Sequence, residues 1–197
     1  MNNKQNFSQS GQDLFVSYLI NNSEQRYFLD VGCYMPFDLN NTIYLENIGW
    51  NGLSIDILDL KNEWKKRKTN FKSVDALKIN YDEIMNEYNF PQIIDYLSLD
   101  IEGLGFRFEA LKKVFESKRQ FKVITIEHDS YRGQEFVEKE AIPQRSFLKE
   151  KGFVLVCEDV CNSKNPFEDW WINPKYITEY EKFICKKTSW NNIISKI

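Results

Sequence analysis

The sequence predicts an α/β fold in which an open, mostly parallel sheet of seven strands carries helices on both faces. Short apolar runs typical of buried parallel strands recur along the chain, with helical patterns between them. The first run, Tyr27–Val31, stops at a glycine turn that begins with Gly32. The second run, Leu53–Ile57, ends on an acid, Asp56. A glycine turn followed by such an acid is typical of a ligand-binding β-α-β unit.

The other predicted elements alternate in the same way along the chain. Further strands are predicted at Phe71–Ala76, Ile93–Asp100, Val123–Glu127, Phe153–Val160 and Lys182–Lys186. Helices are predicted at Gln12–Ile20, Ile43–Ile48, Leu58–Lys68, Tyr81–Tyr88, Arg107–Glu116 and Glu135–Lys151. Because Pro143 interrupts the last helix, we expect a break near Ala141. The segment Asn162–Tyr180 is predicted to be a long functional loop.

Composition bounds the class of protein. A chain of 197 residues suits one domain, and a net charge of −3 argues against a surface built for nucleic acid. The N-terminus lacks the apolar core of a signal peptide, and no run approaches the roughly 18 apolar residues of a membrane span. We therefore expect a soluble, cytoplasmic protein. The cysteines Cys33, Cys157, Cys161 and Cys185 are expected to be free thiols, since no second ligand pair supports zinc.

The first β-α-β unit also indicates the type of ligand. Ligands of open parallel sheets bind at the carboxyl ends of the strands, where Asp30 and Gly32 lie and where Asp56 can bind a ribose diol. Gly32 allows close approach of the backbone to a ligand. Three glycines would be needed for a dinucleotide, and no P-loop motif occurs. An adenosine cofactor without phosphates, S-adenosylmethionine, fits best, and the alternative is an α/β unit that binds nothing.

Six ordered blocks of sequence carry a family resemblance. They are SQSGQDLFV (8–16), FLDVGCYMPFDLNNTIYLENIGWNGLSIDI (28–57), VDAL (74–77), IDYLSLDIEGLG (94–105), ITIEHD (124–129) and RSFLKEKGF (145–153). In this set and order the chain resembles the FkbM-type methyltransferases, a branch of the Rossmann-like S-adenosylmethionine enzymes. Two positions depart from the family pattern: Pro36 replaces the second turn glycine of many relatives, and Asp56 stands where Glu is common.

The resemblance implies a Rossmann-like class I methyltransferase domain at 25–197, with an N-terminal helical segment at 1–24 that closes over the cofactor. It implies that Ser8 and Gln9 fold over the cofactor, although from the residues alone they could equally cap the first helix. It also implies that Asp75 binds the adenine amino group. The predicted cofactor-binding set is Gln9, Asp30, Gly32, Tyr34, Asn41, Asp56, Ile57, Asp75, Ala76 and Asp100.

Acidic residues and the only histidine follow two strands that we expect to be neighbours. Transfer of a methyl group from a sulfonium needs positioning of both reactants and removal of one proton. The candidate catalytic residues are Asp100, Glu102, Glu127 and His128. His128 is either the base or a histidine that does not contact the acceptor. The acids also suggest a divalent cation, Mg²⁺ or Mn²⁺, with Asp100 and Glu127 as its ligands.

The acceptor is suggested by the tryptophan pair and by the family. Trp170 and Trp171 could form a flat platform for a sugar, or they could fill the sheet edge. The resemblance implies a sugar, a natural-product hydroxyl or a protein as acceptor, and we expect a sugar hydroxyl of a glycan or glycolipid. The alternatives are a small natural product, a protein, or a non-catalytic module that binds S-adenosylmethionine. No nucleic-acid partner is expected, and the oligomeric state stays open, with a homodimer among the assemblies considered.

Overall fold

The computed structural model describes residues 7–21 and 25–197. Eight strands form one sheet: β1 (Tyr27–Val31), β2 (Asn51–Asp56), β3 (Asn70–Ser73), β4 (Ile93–Leu99), β5 (Gln120–Glu127), β6 (Val154–Asn162), β7 (Asn165–Ile172) and β8 (Cys185–Lys186). The α-helices are α1 (Gln12–Leu19), α2 (Ile43–Asn47), α3 (Lys61–Trp64), α4 (Tyr81–Glu87), α5 (Phe106–Val114), α6 (Gln134–Phe136), α7 (Ile142–Glu150) and α8 (Trp190–Ile194).

The strand order in the sheet is β3-β2-β1-β4-β5-β7-β6-β8. Strands β3, β2, β1, β4 and β5 are parallel, β7 runs antiparallel between β5 and β6, and β8 is parallel to β6. The chain order reverses between β1 and β4, and ligands of open α/β sheets bind at such a switch point, outside the carboxyl ends of the strands. The parallel α/β fold with helices on both faces is confirmed.

Alternation along the strands divides the core into two layers. In β4, Leu97 packs with the layer formed by α4, α5 and α7, whereas Tyr96 packs with the layer that includes α1. Strand β7 follows the same rule, because Trp171 belongs to the first layer and Trp170 to the second. Both faces of the sheet are covered, so the functional groups lie at the strand ends.

The prediction that Asn162–Tyr180 is a loop was wrong for the first half of this segment. Strand β6 continues to Asn162, a tight turn follows at 163–164, and β7 then returns between β5 and β6. The predicted seventh strand, Lys182–Lys186, is mostly a 3₁₀ turn and contributes only the two residues of β8. The sheet therefore has eight strands, one more than expected.

The bounds of the predicted helices agree closely with the structure except at one place. Leu58–Lys68 was predicted to be helical, but only Lys61–Trp64 is. The expected break near Ala141 is confirmed, since a π-helical turn at Val137–Ala141 precedes α7, and Pro143 stands in the first turn of α7, where a missing N–H is tolerated. Within 7–21 and 25–197, no helix is long and apolar enough to cross a membrane.

Candidate active site

The turn after β1 is shaped by the neighbouring strand. Gly32 has φ 84°, and a Cβ placed on it would overlap the carbonyl oxygen of Asp100 and the side chain of Ile101. Its amide donates to Ile55 O at 2.9 Å. The glycine is therefore required by the close approach of the segment after β4, whereas the sequence argument had assigned this requirement to a ligand.

Asp30 lies beneath this turn and faces Thr42, whose hydroxyl donates to its carboxylate at 3.2 Å. Its side chain is buried, and burial raises its pKa to about 6 in spite of hydrogen bonds from Ser98 and Thr42. Asp30 thus ties β1 to β4 and to the start of α2.

The loop at 33–42 is held by one buried arginine. Arg67 donates from Nη1 to Pro36 O at 2.7 Å and from Nε to Glu46 Oε2 at 2.9 Å. Its Nη2 donates to Thr42 Oγ1 at 3.1 Å. Because the guanidinium fixes the carbonyl of Pro36, the turn keeps its shape although a proline stands at this position.

Asn41 stands at the switch point between β1 and β4. Its side-chain amide donates to Ser98 Oγ at 3.1 Å, while its Oδ1 is buried and has no hydrogen-bond partner among the described residues. A buried acceptor without a partner is costly unless a ligand donor meets it. Asn41 therefore fits a cofactor that brings an amino group to this turn.

The end of β2 offers an acid beside two exposed apolar side chains. Asp56 accepts from the Tyr34 amide at 2.8 Å and from the Leu58 amide at 2.9 Å. The side chains of Ile57 and Tyr34 are 70% and 60% exposed. A carboxylate next to uncovered apolar surface suits a ribose and the flat base attached to it, because lone pairs remain on both oxygens.

Asp75 follows β3 at the same edge of the sheet, one residue before the buried Ala76. Its carboxylate accepts from the Leu77 amide at 3.0 Å and pairs with Lys78 at 3.0 Å. The hydrogen bond from Leu77, followed by that from Lys78, lowers its pKa, so Asp75 is an ionised acceptor at neutral pH. The contact of Asp75 with adenine stays a prediction.

Three acids meet around one buried arginine at the ends of β4 and β5. Arg107 is fully buried, and its Nη2 lies 3.0 Å from Glu127 Oε2 and 3.1 Å from Asp129 Oδ2. The same nitrogen is 3.6 Å from Asp100 Oδ1. One guanidinium thus compensates part of the negative charge of three carboxyl groups.

Asp100 and Glu127 form a coupled pair in this cluster. Burial, then the charge of Asp100 and a hydrogen bond with it, raises the pKa of Glu127 far above its usual range. Burial also raises the pKa of Asp100, although the hydrogen bond with Glu127 and the charge of Arg107 oppose this. Two carboxyl groups in this arrangement share one proton, so one of them is an ionised acceptor while the other is protonated.

A cavity of about 420 Å³ opens above this pair. It is lined by Gln9, Asp100, Glu102, Glu127, Asp129, Tyr131, Arg132, Asn162, Ser163, Asn165 and Phe167. Gln9 comes from the loop before α1, while the neighbouring Ser8 donates to Asp13 Oδ1 at 2.7 Å and braces that loop. The structure therefore brings Gln9 together with three of the predicted catalytic residues, Asp100, Glu102 and Glu127. Glu102 is the most open of these, with a side chain that is 89% exposed.

His128 was a candidate base, and the structure contradicts this role. Its side chain is fully buried, and its Nδ1 accepts a hydrogen bond from the Ser130 amide at 3.1 Å. The proton of the neutral ring must therefore lie on Nε2, which faces Asp169 at 3.4 Å and Asp159 at 3.6 Å. With its lone pair occupied and no path to the cavity, His128 cannot take a proton from an acceptor.

His128 instead belongs to a buried network centred on Arg145. The guanidinium donates from Nε to Asp169 Oδ2 at 2.7 Å and from Nη2 to Asp159 Oδ1 at 2.7 Å. Although burial opposes it, the hydrogen bonds from His128 and Arg145 lower the pKa of Asp169 to about 2. His128, Asp159 and Asp169 lie close enough to bind a metal ion. Arg145 already donates hydrogen bonds to both carboxylates, so we interpret the group as structural.

The predicted tryptophan platform was also wrong. Trp170 and Trp171 are each 0% exposed, and they belong to the two core layers on opposite faces of β7. Trp170 stacks against Phe15 of α1 with ring centroids 4.6 Å apart. Neither ring can contact an acceptor. The aromatic residues that line the cavity are Tyr131, which is 49% exposed, and Phe167, which is 3% exposed.

Arg107 and Asp129 were missed as site residues. A signal for Arg107 was present, since it shares the buried stripe of α5 with Ala110, Leu111 and Val114 at helical spacing. A charged residue on an apolar stripe requires a buried partner of opposite charge. Asp129 differs from its neighbours in having a left-handed backbone conformation, with φ 50°. No sequence pattern predicted this conformation.

Comparison with known proteins adds the family. The methyltransferase FkbM domain model matches residues 3–155. A search of curated protein sequences gave no significant match. Among solved structures, the chain is similar to a Listeria monocytogenes protein assigned provisionally as an S-adenosylmethionine dependent methyltransferase (13% identity, TM-score 0.55, 83% of this chain and 98% of that one). It is also similar to a DUF574 family protein from Streptomyces avermitilis MA-4680 (14% identity, TM-score 0.51, 83% and 81%). Both likenesses concern the fold, whereas the domain match covers most of the sequence: the chain belongs to the FkbM methyltransferase family.

Proposed function

We propose that this protein is an S-adenosylmethionine-dependent O-methyltransferase that methylates a sugar hydroxyl of a glycan or glycolipid. The observation that carries the proposal is the coupled pair Asp100 and Glu127. These carboxyl groups line a polar cavity that opens beside the switch point of a methyltransferase fold. The geometry combines a place for an adenosyl donor with a proton acceptor for a hydroxyl group.

The donor would lie along the carboxyl ends of β1, β2 and β3. In our proposal Asp56 binds the ribose diol, Asp75 and Ala76 meet the adenine, and Ile57 packs on its ring. Asn41 accepts from the amino group of the methionine part with its unpartnered Oδ1. Asp30, Gly32 and Tyr34 shape the turn beneath, while Gln9 and the described part of the N-terminal segment, residues 7–21, close over the donor. Residues 1–6 and 22–24 of that predicted segment lie outside the described residues. When bound, S-adenosylmethionine supplies an electrophilic methyl group and leaves as S-adenosylhomocysteine.

The acceptor hydroxyl would lose its proton to the Asp100 and Glu127 pair. Of the two groups, the ionised one accepts the proton, and Arg107 keeps the pair partly ionised by lying within 3.6 Å of both. Glu102 and Asp129 accept from other hydroxyl groups of the substrate. The proton thus moves to a carboxylate oxygen while the cavity walls hold the acceptor in line with the donor.

The lining of the cavity favours a sugar among the acceptors of this family. Carboxylates, amides and hydroxyls supply many hydrogen-bond acceptors and donors, as a polyhydroxylated ring requires, and Tyr131 and Phe167 provide apolar faces. The negative charge of the wall disfavours a nucleic-acid acceptor, whose phosphates it would repel.

A divalent cation is part of the proposal. Asp100, Glu127 and Asp129 together carry more negative charge than Arg107 compensates, and carboxylate oxygens are the ligands that Mg²⁺ and Mn²⁺ prefer. Asp100 and Glu127 would hold the ion from the cavity side. Bound there, it would lower the pKa of a hydroxyl group that reached it.

The test is a mass-spectrometric screen for methyl transfer from S-adenosylmethionine to a panel of sugars, glycolipids, phenols and peptides, with and without Mg²⁺ or Mn²⁺. We expect a methylated sugar, stimulation by the cation, and at least a 100-fold lower turnover for Asp100→Asn, because this variant removes the ionised acceptor of the pair. The matched control is Asp59→Asn, an exposed acid outside this cavity. Methylation of peptides or phenols alone would overturn the sugar assignment, and binding without any turnover would indicate a non-catalytic module.

A further inference from the structure

Cys157 and Cys185 face each other at the edge of the sheet that is remote from the cofactor strands. They are register partners in the parallel pair β6 and β8, so their side chains leave the sheet on the same face and the two thiol groups are neighbours. Neighbouring strands lie about 4.8 Å apart. This spacing falls in the range of about 4.4–6.8 Å between Cα atoms that a disulfide spans. No large backbone movement is needed to join the two sulfur atoms.

The two thiols differ in reactivity. Cys185 is half-buried and lines an open surface cavity of about 560 Å³, which small solutes can enter. The hydrogen bond from Cys157 lowers the pKa of Cys185 to about 7 against its partial burial, with help from Thr188 and the charge of Lys196. Burial raises the pKa of Cys157. The pair therefore contains an accessible thiolate beside a buried thiol.

The other two cysteines are poorer targets. Burial raises the pKa of Cys33, which is 7% exposed. Burial also raises the pKa of Cys161, whose thiol donates to Asp159 O at 3.2 Å. Peroxide reacts with thiolates rather than thiols, so it should select Cys185 among the four.

We propose that Cys157 and Cys185 form a peroxide-sensitive dithiol that closes to a disulfide. The Cys185 thiolate attacks a peroxide oxygen, the O–O bond breaks, and a sulfenic acid and hydroxide form. The sulfur of Cys157 then attacks that of Cys185, the S–O bond breaks, and the leaving hydroxide takes the Cys157 proton. Two thiols are oxidised while one hydrogen peroxide is reduced to two waters.

The disulfide would link β8, and with it the C-terminal segment 185–197, covalently to strand β6 of the sheet. Strand β8 is held to β6 by only two register pairs. The chain around it covers α1, since Phe183 packs on Phe15 with ring centroids 5.3 Å apart and Ile194 lies against Gly11. A covalent link across a loop of roughly 30 residues restricts the unfolded chain, so the oxidised protein should be the more stable form.

The experiment is stoichiometric hydrogen peroxide treatment of the full chain, followed by non-reducing peptide mapping, thiol counting after denaturation, and thermal unfolding. We expect loss of two thiols, a Cys157–Cys185 linked peptide, and a rise in Tm of roughly 5 °C that dithiothreitol reverses. Cys185→Ser should keep its three remaining thiols, whereas Cys161→Ser, the control on the same strand, should form the bridge as the wild type does.

Three outcomes would overturn the proposal. One is a Cys185 sulfinic acid with a free Cys157, since it would show that the buried thiol cannot reach its neighbour. Another is a bridge that involves Cys33 or Cys161. The third is a Cys157–Cys185 bridge that lowers Tm, because the link would then strain the fold instead of stapling it.

Discussion

At the scale of single residues, Glu168 and Asp169 show how the partners of a buried carboxyl group decide its pKa: Glu168 has neutral hydrogen-bond donors, whereas Asp169 faces a guanidinium. Both carboxyl groups are buried in β7 and point to opposite faces of the sheet. Burial raises the pKa of Glu168 to about 8, although hydrogen bonds from Trp170 and Gln12 oppose it. The pKa of Asp169 falls to about 2 because His128 and Arg145 outweigh burial. At neutral pH the first group is largely protonated and the second is an anion.

The first prediction concerns the pH dependence of Glu168. A carboxyl group whose folded pKa exceeds its unfolded value binds more protons in the native state, so its contribution to stability is lost as pH rises. Between about pH 5 and pH 8 the wild-type Tm should therefore fall. Glu168→Gln keeps the acceptor for Trp170 Nε1 but does not titrate, and it should reduce this fall by several degrees.

Scanning calorimetry across this pH range measures the effect. Glu63→Gln, which changes an exposed acid on α3, should leave the slope of the wild type unaltered. An equal fall of Tm in Glu168→Gln and wild type would show that Glu168 is not the titrating group.

At the scale of elements, the Arg145 network joins α7 to the antiparallel strands of the sheet. Arg145 on α7 contacts Asp159 of β6 and Asp169 of β7, and His128, just after β5, faces the same two acids. Four elements thus meet in one buried set of charges. Removal of the guanidinium would leave two buried carboxylates without compensation.

The second prediction is that Arg145→Met lowers the free energy of unfolding by about 3 kcal/mol, the usual cost of breaking a buried ion pair. Urea unfolding followed by circular dichroism measures it. Lys149→Met on the exposed side of α7 serves as the control and should change stability by less than about 0.5 kcal/mol. If Arg145→Met lowered the free energy of unfolding no more than the control does, the network would not contribute to stability.

The sequence predicted correctly those strands whose residues form one continuous apolar run. Runs such as Ile93–Leu99 are mostly apolar and were identified as strands, and Gly32 and Asp56 marked the carboxyl edge of the sheet. Strand β7 was missed because acids alternate with aromatic residues on both of its faces, which is atypical of a buried strand. These acids can be buried because residues distant in the sequence bind them: Arg145 pairs with Asp169, and Gln12 donates a hydrogen bond to Glu168.

The same limit explains which of the predicted site residues the structure brings together. Position in the chain was enough to place Asp100, Glu102 and Glu127 near one another, since the carboxyl ends of parallel strands share one edge of the sheet. Gln9 was expected over the cofactor from the family resemblance, and it lines the same cavity. Position could not separate Glu127 from its neighbour His128, because successive residues at a strand end face different sides. Only the packing of β7 and α7 shows that His128 is buried.

At the scale of the whole molecule, every residue assigned to the proposed reaction lies at or near the carboxyl ends of the parallel strands. The predicted donor contacts Asp56 and Asp75 follow β2 and β3, and the acidic pair follows β4 and β5. The acceptor cavity is closed from one side by the loop before α1 and from the other by the β6–β7 hairpin. The switch point between β1 and β4 separates the two halves, as expected for a donor and an acceptor that meet there.

The measurement that tests this account most directly is calorimetric titration of S-adenosylhomocysteine into wild type, Asp56→Asn and Asp59→Asn. Asp59 is the matched control, a nearby acid whose side chain is 70% exposed. We predict micromolar binding to wild type and to Asp59→Asn, and at least about tenfold weaker binding to Asp56→Asn because the ribose loses a charged hydrogen-bond acceptor. No binding to the wild type, or equal binding to all three proteins, would contradict the proposed donor site.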